Sequence, residues 1–273
     1  MIHIGWDPVA FSIGGADVRW YGIFIGLCIL VMVAWTWYFS KKAGVSGDLA
    51  LGAGLVAIPS GIIVSKLLHV IDKFGYYVDN PGEILGRGGL TVFGAVLGGL
   101  LGAWLYCRFR KQPFGPLGDA AAPGIALGMV VGRFGCTLNG CCHGSPTTVP
   151  WSYIYTNPAS AAKPLLDTPL HPTQGYEQLL NAVLFVVMFW LLRNRLRPAG
   201  SLFVLYLGLY AAGTAVIRVF RGDVENFAGP LQEAQLVSII IVLVCGYLLI
   251  TRSHWVARGE TSMAVRAGEE SSG

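Results

Sequence analysis

The feature that most restricts this chain is a series of apolar runs, each near the roughly 20 residues that cross a bilayer as a helix. They fall at about 20–39, 48–71, 88–107, 119–138, 174–192, 200–217 and 233–251. In lipid every backbone polar group must find its partner inside the segment, so runs of this length have no choice but helix. The expected fold is therefore all-α, a polytopic membrane protein of about seven transmembrane helices. Composition agrees: only 12% of the 273 residues are charged and 54% are hydrophobic, whereas a soluble domain carries about 25% charge. The 37 glycines suit helices that approach closely, as does the Gly94-x-x-x-Gly98 spacing in the third run. A net charge of +4, spread over short clusters, excludes nucleic acid as a partner.

Basic residues give the orientation. Lys41 and Lys42 follow the first run, Arg108, Arg110 and Lys111 the third, Arg193, Arg195 and Arg197 the fifth, and Arg252 and Arg258 the seventh. Clusters after every odd run belong on one side, the cytoplasm, which puts the N-terminus outside and the C-terminus inside. The connection at about 139–173 then lies on the outer face, where Trp151, Tyr153 and Tyr155 suit headgroup depth. Residues 1–258 read as one transmembrane domain, and the polar stretch 259–273 as a disordered cytoplasmic tail. The first 18 residues lack a basic n-region and include Asp7 and Asp17, so no cleaved leader is expected.

A second basic set, Arg19, Lys66, Arg87, Arg133, Arg218 and Arg221, falls at or near the outer ends of the runs or within them. A charge at membrane depth costs several kcal/mol unless paired or hydrated, so it marks a candidate site. Several cations gathered at one leaflet would grip a phosphate, with Arg offering two parallel contacts; snorkelling is the alternative for Arg19, Arg87 and Lys66. Arg133 sits in Gly132-Arg133-Phe134-Gly135, where small neighbours leave room for a ligand. The fifth run opens with His171-Pro172-Thr173-Gln174-Gly175-Tyr176-Glu177. Thr173 is positioned to cap it, and Gln174 and Glu177 share a face. This segment reads either as part of a site or as a polar network tying helices together. The run Cys136-Thr137-Leu138-Asn139-Gly140-Cys141-Cys142-His143 is the third candidate. Its spacing matches no standard zinc motif, which leaves packing or a disulfide first, redox or nucleophilic chemistry second and a metal last.

These segments resemble the prolipoprotein diacylglyceryl transferase family. The resemblance rests on Arg19-Trp20-Tyr21-Gly22, Gly88-Gly89-Leu90, Gly132-Arg133-Phe134-Gly135 with Asn139-Gly140, His171-Pro172-Thr173-Gln174-x-Tyr176-Glu177, Phe220-Arg221-x-Asp223 and Gln235, all in the family's order. It implies transfer of the diacylglyceryl group of phosphatidylglycerol, or a related phospholipid, to the lipobox cysteine thiol of a preprolipoprotein. Glycerol 1-phosphate leaves, the setting is the bacterial inner membrane, and neither cofactor nor resident metal is implied. Among site residues it implies Arg133, Arg221, Tyr21, Asn139, His171 and Glu177 for catalysis. For substrate binding the expected residues are Arg133, Lys66, Arg221, Gln174 and Tyr176, with Arg87 and Arg218 added from the basic set. Phe93 stands where the family has a helix-3 His, and Thr214 where it has a helix-6 Arg. Arg218 replaces a family Glu, while Cys136 and Cys141 replace an Asn and a Glu. Arg218, one turn from Thr214, could supply the missing cation. His143 or His171 could serve as a replacement base, and Cys141 or Cys142 as a nucleophile. The alternatives are a paralogue that binds phospholipid or a protein partner without this chemistry, and a thiol-redox or metal-handling membrane protein.

Overall fold

The computed structural model describes residues 1–85, 92–193, 195–222 and 232–256. Its helices are α1 (Trp20–Lys42), α2 (Gly47–Asp72), the short α3 (Phe74–Asp79), α4 (Val92–Phe109), α5 (Phe114–Asn139), α6 (Thr173–Val186), α7 (Ser201–Arg218) and α8 (Glu233–Arg252). Among the described residues six helical segments are long and apolar enough to cross a membrane, α6 reaching this length because it continues to Leu192 as a wider turn. The remaining expected span is α4, apolar over Gly94–Phe109; the first residues assigned to it, 88–91, lie outside the described residues, as do Arg87 and the tail 259–273. The expected polytopic helical fold is what the chain forms. The fourth helix begins at Phe114 rather than 119, tolerating Pro123 in its interior, as neighbouring groups in a membrane bundle allow.

Two compact units divide the chain. One is Thr36–Leu117; the other joins Met1–Trp35 to the described part of Gly118–Gly273. In the first, α2 and α4 approach so closely that a Cβ on Gly98 would lie 2.5 Å from the Ser60 carbonyl oxygen. This is the contact the Gly94-x-x-x-Gly98 spacing predicts. A small core of Leu49, Ala50, Ala53, Cys107 and Leu117 lies between these helices and the start of α5.

In the second unit α1 and α5 meet at Gly135, whose added Cβ would stand 2.8 Å from Phe24 Cβ and 3.2 Å from the Tyr21 Cα. The two ends of this unit are finished differently. At one end Asp119 of α5 accepts hydrogen bonds from the backbone N–H of Gly200 (2.7 Å) and Phe203 (2.9 Å), satisfying the open first turn of α7. Strands β6 (Leu196–Arg197) and β7 (His254–Trp255) pair beside it, and Ser253 bonds Ser201 at 2.8 Å. Arg193, Arg195, Arg197 and Arg252 flank this end.

The opposite end carries short strands that apolar periodicity does not reveal. β1 (Ile2–Ile4) pairs with β4 (Tyr153–Tyr155), and β4 with β5 (Pro169–Leu170). β2 (Val9–Ile13) and β3 (Ala16–Arg19) form a hairpin leading into α1. Ile4, Tyr155, Ala162 and Leu170 make a dry core beneath the three-stranded sheet. The segment expected as an interfacial loop at 139–173 is thus folded on its own account and tied to the N-terminal strand.

Candidate active site

Arg133 lies in the last two turns of α5 and Glu177 in the second turn of α6, and the two form an ion pair. The side chains are 15% and 3% exposed. An isolated charge at this depth would cost several kcal/mol, and pairing with hydrogen bonding is what makes burial tolerable. Arg133 also points Nη1 at Cys136 Sγ, 3.8 Å away. Its Nε is buried with no hydrogen-bond partner among the described residues. α7 supplies the rest of the surroundings. Tyr210 hydrogen-bonds with Arg133 and is within electrostatic reach of Glu177, and Arg218 is within electrostatic reach of Glu177, Arg133 and Arg221. Tyr210, Thr214 and Arg218 recur every four residues and so share one helical face. Tyr210 was not among the residues expected at the site, although this polar stripe in an otherwise apolar run was there to be seen.

The cysteine run follows from how α5 ends. Gly140 adopts a left-handed φ of 75°. Its N–H reaches the Thr137 carbonyl (3.3 Å), while the Cys141 N–H reaches that of Cys136 (3.2 Å). This is the two-bond helix stop in which residues five apart, here Cys136 and Cys141, are brought side by side. Cys142 is also left-handed, at φ 63°, which breaks the alternation that would send adjacent side chains to opposite faces. The three Sγ atoms lie within 4.8 Å of one another, and none is in a disulfide. Two side chains of α6 lock the turn: Thr173 Oγ1 donates to the Cys142 carbonyl (2.6 Å) and Gln174 Nε2 to that of Cys141 (2.8 Å). Thr173 therefore does not cap α6 as expected; it is the first helical residue, and its hydroxyl is committed to the neighbouring loop.

Charge within this cluster is unevenly shared. Cys142 is drawn well below the usual thiol range, first by S–H donation from Cys136 and Cys141, then, against burial, by the charges of Arg133 and Arg221. Cys141 moves the other way: the Cys136 contact lowers it, but the Cys142 contact and burial outweigh that. Arg133 and Arg221 are thus both within electrostatic reach of one sulfur. Tyr21 of α1 lies within electrostatic reach of all three sulfurs and of Arg133. The Asn139 side chain accepts from Arg19 Nη1 at 3.3 Å.

The two histidines differ. His143 is buried, and its Nδ1 lies 3.0 Å from the Gly144 carbonyl. A carbonyl only accepts, so Nδ1 is the donor, and in the neutral ring the lone pair is on Nε2. His171 Nδ1 instead meets the Tyr176 hydroxyl (3.2 Å), which accepts from Trp151 Nε1 (3.0 Å). Its ring packs 5.0 Å from that of Phe220. Backbone bonds from Gly144 to His171, from His171 to Ser145 and from Ser145 to Phe220 sew this aromatic group to the end of α7. Gln174 also donates to the Tyr155 hydroxyl (3.0 Å).

The fold therefore gathers Tyr21, Arg133, Cys136, Cys141, Cys142, Glu177, Arg218 and Arg221 around one end of the second unit. His143, Asn139, His171, Gln174 and Tyr176 surround them. Lys66 belongs to the other unit, where its ammonium donates to the Tyr77 hydroxyl (3.3 Å) and the Glu83 carbonyl (3.2 Å). Arg87 lies outside the described residues. Chemically, the cluster offers cations for an anionic headgroup, a carboxylate that holds one of them in reserve, and thiols and an imidazole nitrogen able to carry a proton.

Known proteins resemble this chain over most of its length. A family model described as prolipoprotein diacylglyceryl transferase matches residues 8–251. A protein of Dehalococcoides mccartyi is 46% identical over 255 residues, covering 93% of this chain and 96% of its own length. One from Clostridium tetani is 32% identical over 238 residues (87% and 94%), and one from Clostridium botulinum 32% over 240 (87% and 95%). Each is named phosphatidylglycerol--prolipoprotein diacylglyceryl transferase.

Proposed function

We infer the activity from one premise: the chain belongs to the prolipoprotein diacylglyceryl transferase family. It is a multi-span membrane enzyme that transfers the diacylglyceryl group of phosphatidylglycerol to prolipoprotein. The bond broken joins the diacylglyceryl carbon to the phosphate, and glycerol 1-phosphate departs. The acceptor is the lipobox cysteine thiol, whose sulfur makes the new thioether bond, and the enzyme works in the bacterial inner membrane with its site toward the outer leaflet.

The observation that carries the site assignment is the buried Arg133–Glu177 pair, with Arg218 in electrostatic reach of both and Arg221 in reach of Arg218 and of Cys142. Arg133 and Arg221 hold the headgroup phosphate, and Arg218 adds the third positive charge. Charge that grows on the leaving phosphate is stabilised by donors already in place, which costs no rearrangement at the moment of reaction. His143 is the assigned proton acceptor because its Nδ1 is engaged by the Gly144 carbonyl, which leaves Nε2 of the neutral ring to take a proton. Gln174 and Thr173 are positioning residues that fix the cysteine turn. Tyr176 and His171 hold the aromatic group beside it, while Tyr21 and Asn139 line the headgroup side.

The test is transfer of label from phosphatidylglycerol to a lipobox peptide by the purified protein in detergent. Arg133→Lys should keep the charge and the fold yet lose the forked contact, lowering transfer by about 100-fold, in the range for loss of one stabilising donor. Unchanged transfer in Arg133→Lys and in Arg133→Ala would remove Arg133 from the site.

A further inference from the structure

The three clustered thiols have no part in the mechanism above. We propose that Cys136, Cys141 and Cys142 form a three-thiolate site for zinc, with its fourth coordination position open to the acceptor thiol.

Geometry supports the first half. The three Sγ atoms are already within 4.8 Å of one another. Thiolates bound to zinc at about 2.3 Å in a tetrahedron stand roughly 3.8 Å apart, so side-chain rotation alone closes the gap. The sequence spacing suggests no metal because it is not that of a zinc-finger loop. The helix stop at Gly140 does the same work by a different route, setting Cys136 against Cys141, and the left-handed Cys142 turns the third sulfur inward. Hydrogen bonds from Thr173 and Gln174 hold the carbonyls of both adjacent cysteines, so the ligand-bearing backbone is fixed before any ion arrives. All six cysteines are unbridged, which leaves the sulfurs available. Three thiolates and a divalent cation carry one net negative charge; Arg133 Nη1 lies 3.8 Å from one of the sulfurs, and Arg221 is within electrostatic reach of another.

Ligand count supports the second half, which rests on the activity assigned above. Structural zinc sites are closed by four protein ligands, whereas sites with three leave one position for a reacting group. Among the described residues only these three group together. A thiol that enters the open position is acidified by the metal and gives its proton to His143. Its sulfur then attacks the diacylglyceryl carbon, the carbon–oxygen bond to phosphate breaks, and the electron pair leaves with glycerol 1-phosphate. The thiol proton is the one that balances the new anionic oxygen. The thioether product is neutral, a weaker ligand than a thiolate, and dissociates. No oxidant or reductant is required.

The test uses the full chain purified in detergent. Zinc content and a cadmium titration, read by sulfur-to-metal charge-transfer absorption, should give one ion per chain. The absorption should fall by about a third or more in Cys141→Ser and in Cys142→Ser, and stay unchanged in Cys245→Ser. Chelator-stripped enzyme should lose at least tenfold in transfer to the lipobox peptide, and equimolar zinc should restore it. Failure of wild-type protein to give a stoichiometric cadmium signal would overturn the site, as would a thiol count showing two of the three joined in a disulfide. Full transfer by protein shown to be metal-free would overturn the open-position role. Absence of transfer by zinc-loaded protein would instead strike at the activity assigned above, and the cadmium titration would still decide the site.

Discussion

On the proposed reading, Arg218 supplies from one turn along the helix the charge that position 214 lacks. It stands one turn beyond Thr214, on the face that also carries Tyr210, and acts on Glu177 and Arg133. Arg218→Ala should reduce transfer by about 10- to 100-fold, since a preorganised cation near developing phosphate charge is worth at least that much. Arg218→Glu should be worse, placing a second carboxylate beside Glu177. Adding Thr214→Arg to Arg218→Glu should recover at least tenfold over Arg218→Glu alone, because the charge returns on the same face four residues earlier. Initial rates on labelled phosphatidylglycerol decide this, and a double variant no better than Arg218→Glu would show that the two positions are not interchangeable.

At the level of elements, the spans were legible in the sequence because lipid leaves a long apolar run no alternative to helix, and their observed ends fall close to the expected ones. The charged pair was legible too: Arg133 and Glu177 are conspicuous where charge is expensive. What could not be read were contacts between segments far apart in the chain. Asp119, which drew no attention in the sequence, caps α7 more than eighty residues away. Strand β1 has three residues and finds its partner at 153–155, a pairing that no local periodicity announces. The meeting of Cys136 with Cys141 was hidden because it depends on how a helix stops. Two substitutions test these joints. Asp119→Ala should cost about 1–2 kcal/mol, as loss of a good cap does, and lower the unfolding temperature in detergent. Gly140→Ala combines a left-handed φ with a Cβ placed 2.0 Å from Ser160 Oγ; it should cost at least about 1–2 kcal/mol and diminish the cadmium signal. A normal signal and melting curve in Gly140→Ala would mean the turn does not organise the thiols.

Across the whole molecule, the unit that bears the site has one end rich in basic side chains and another covered by a small sheet, and the positive-inside rule assigns them to opposite faces of the membrane. A cysteine at exposed Ala159 should react with an impermeant thiol reagent in cells whose outer barrier has been opened, whereas one at exposed Lys42 should react only after lysis. The reverse pattern would invert the molecule. The ion pair at the covered end has a further consequence for turnover. An anion that claims Arg133 must first evict a carboxylate, so binding is an exchange of one negative group for another and gains little in net affinity. The same carboxylate waits nearby to reclaim the guanidinium, which hastens expulsion of a spent phosphate. If Arg133 grips the phosphate as proposed, Glu177 is a built-in competitor: it would keep the resting enzyme from being trapped by stray anions and the working one from being trapped by its own product.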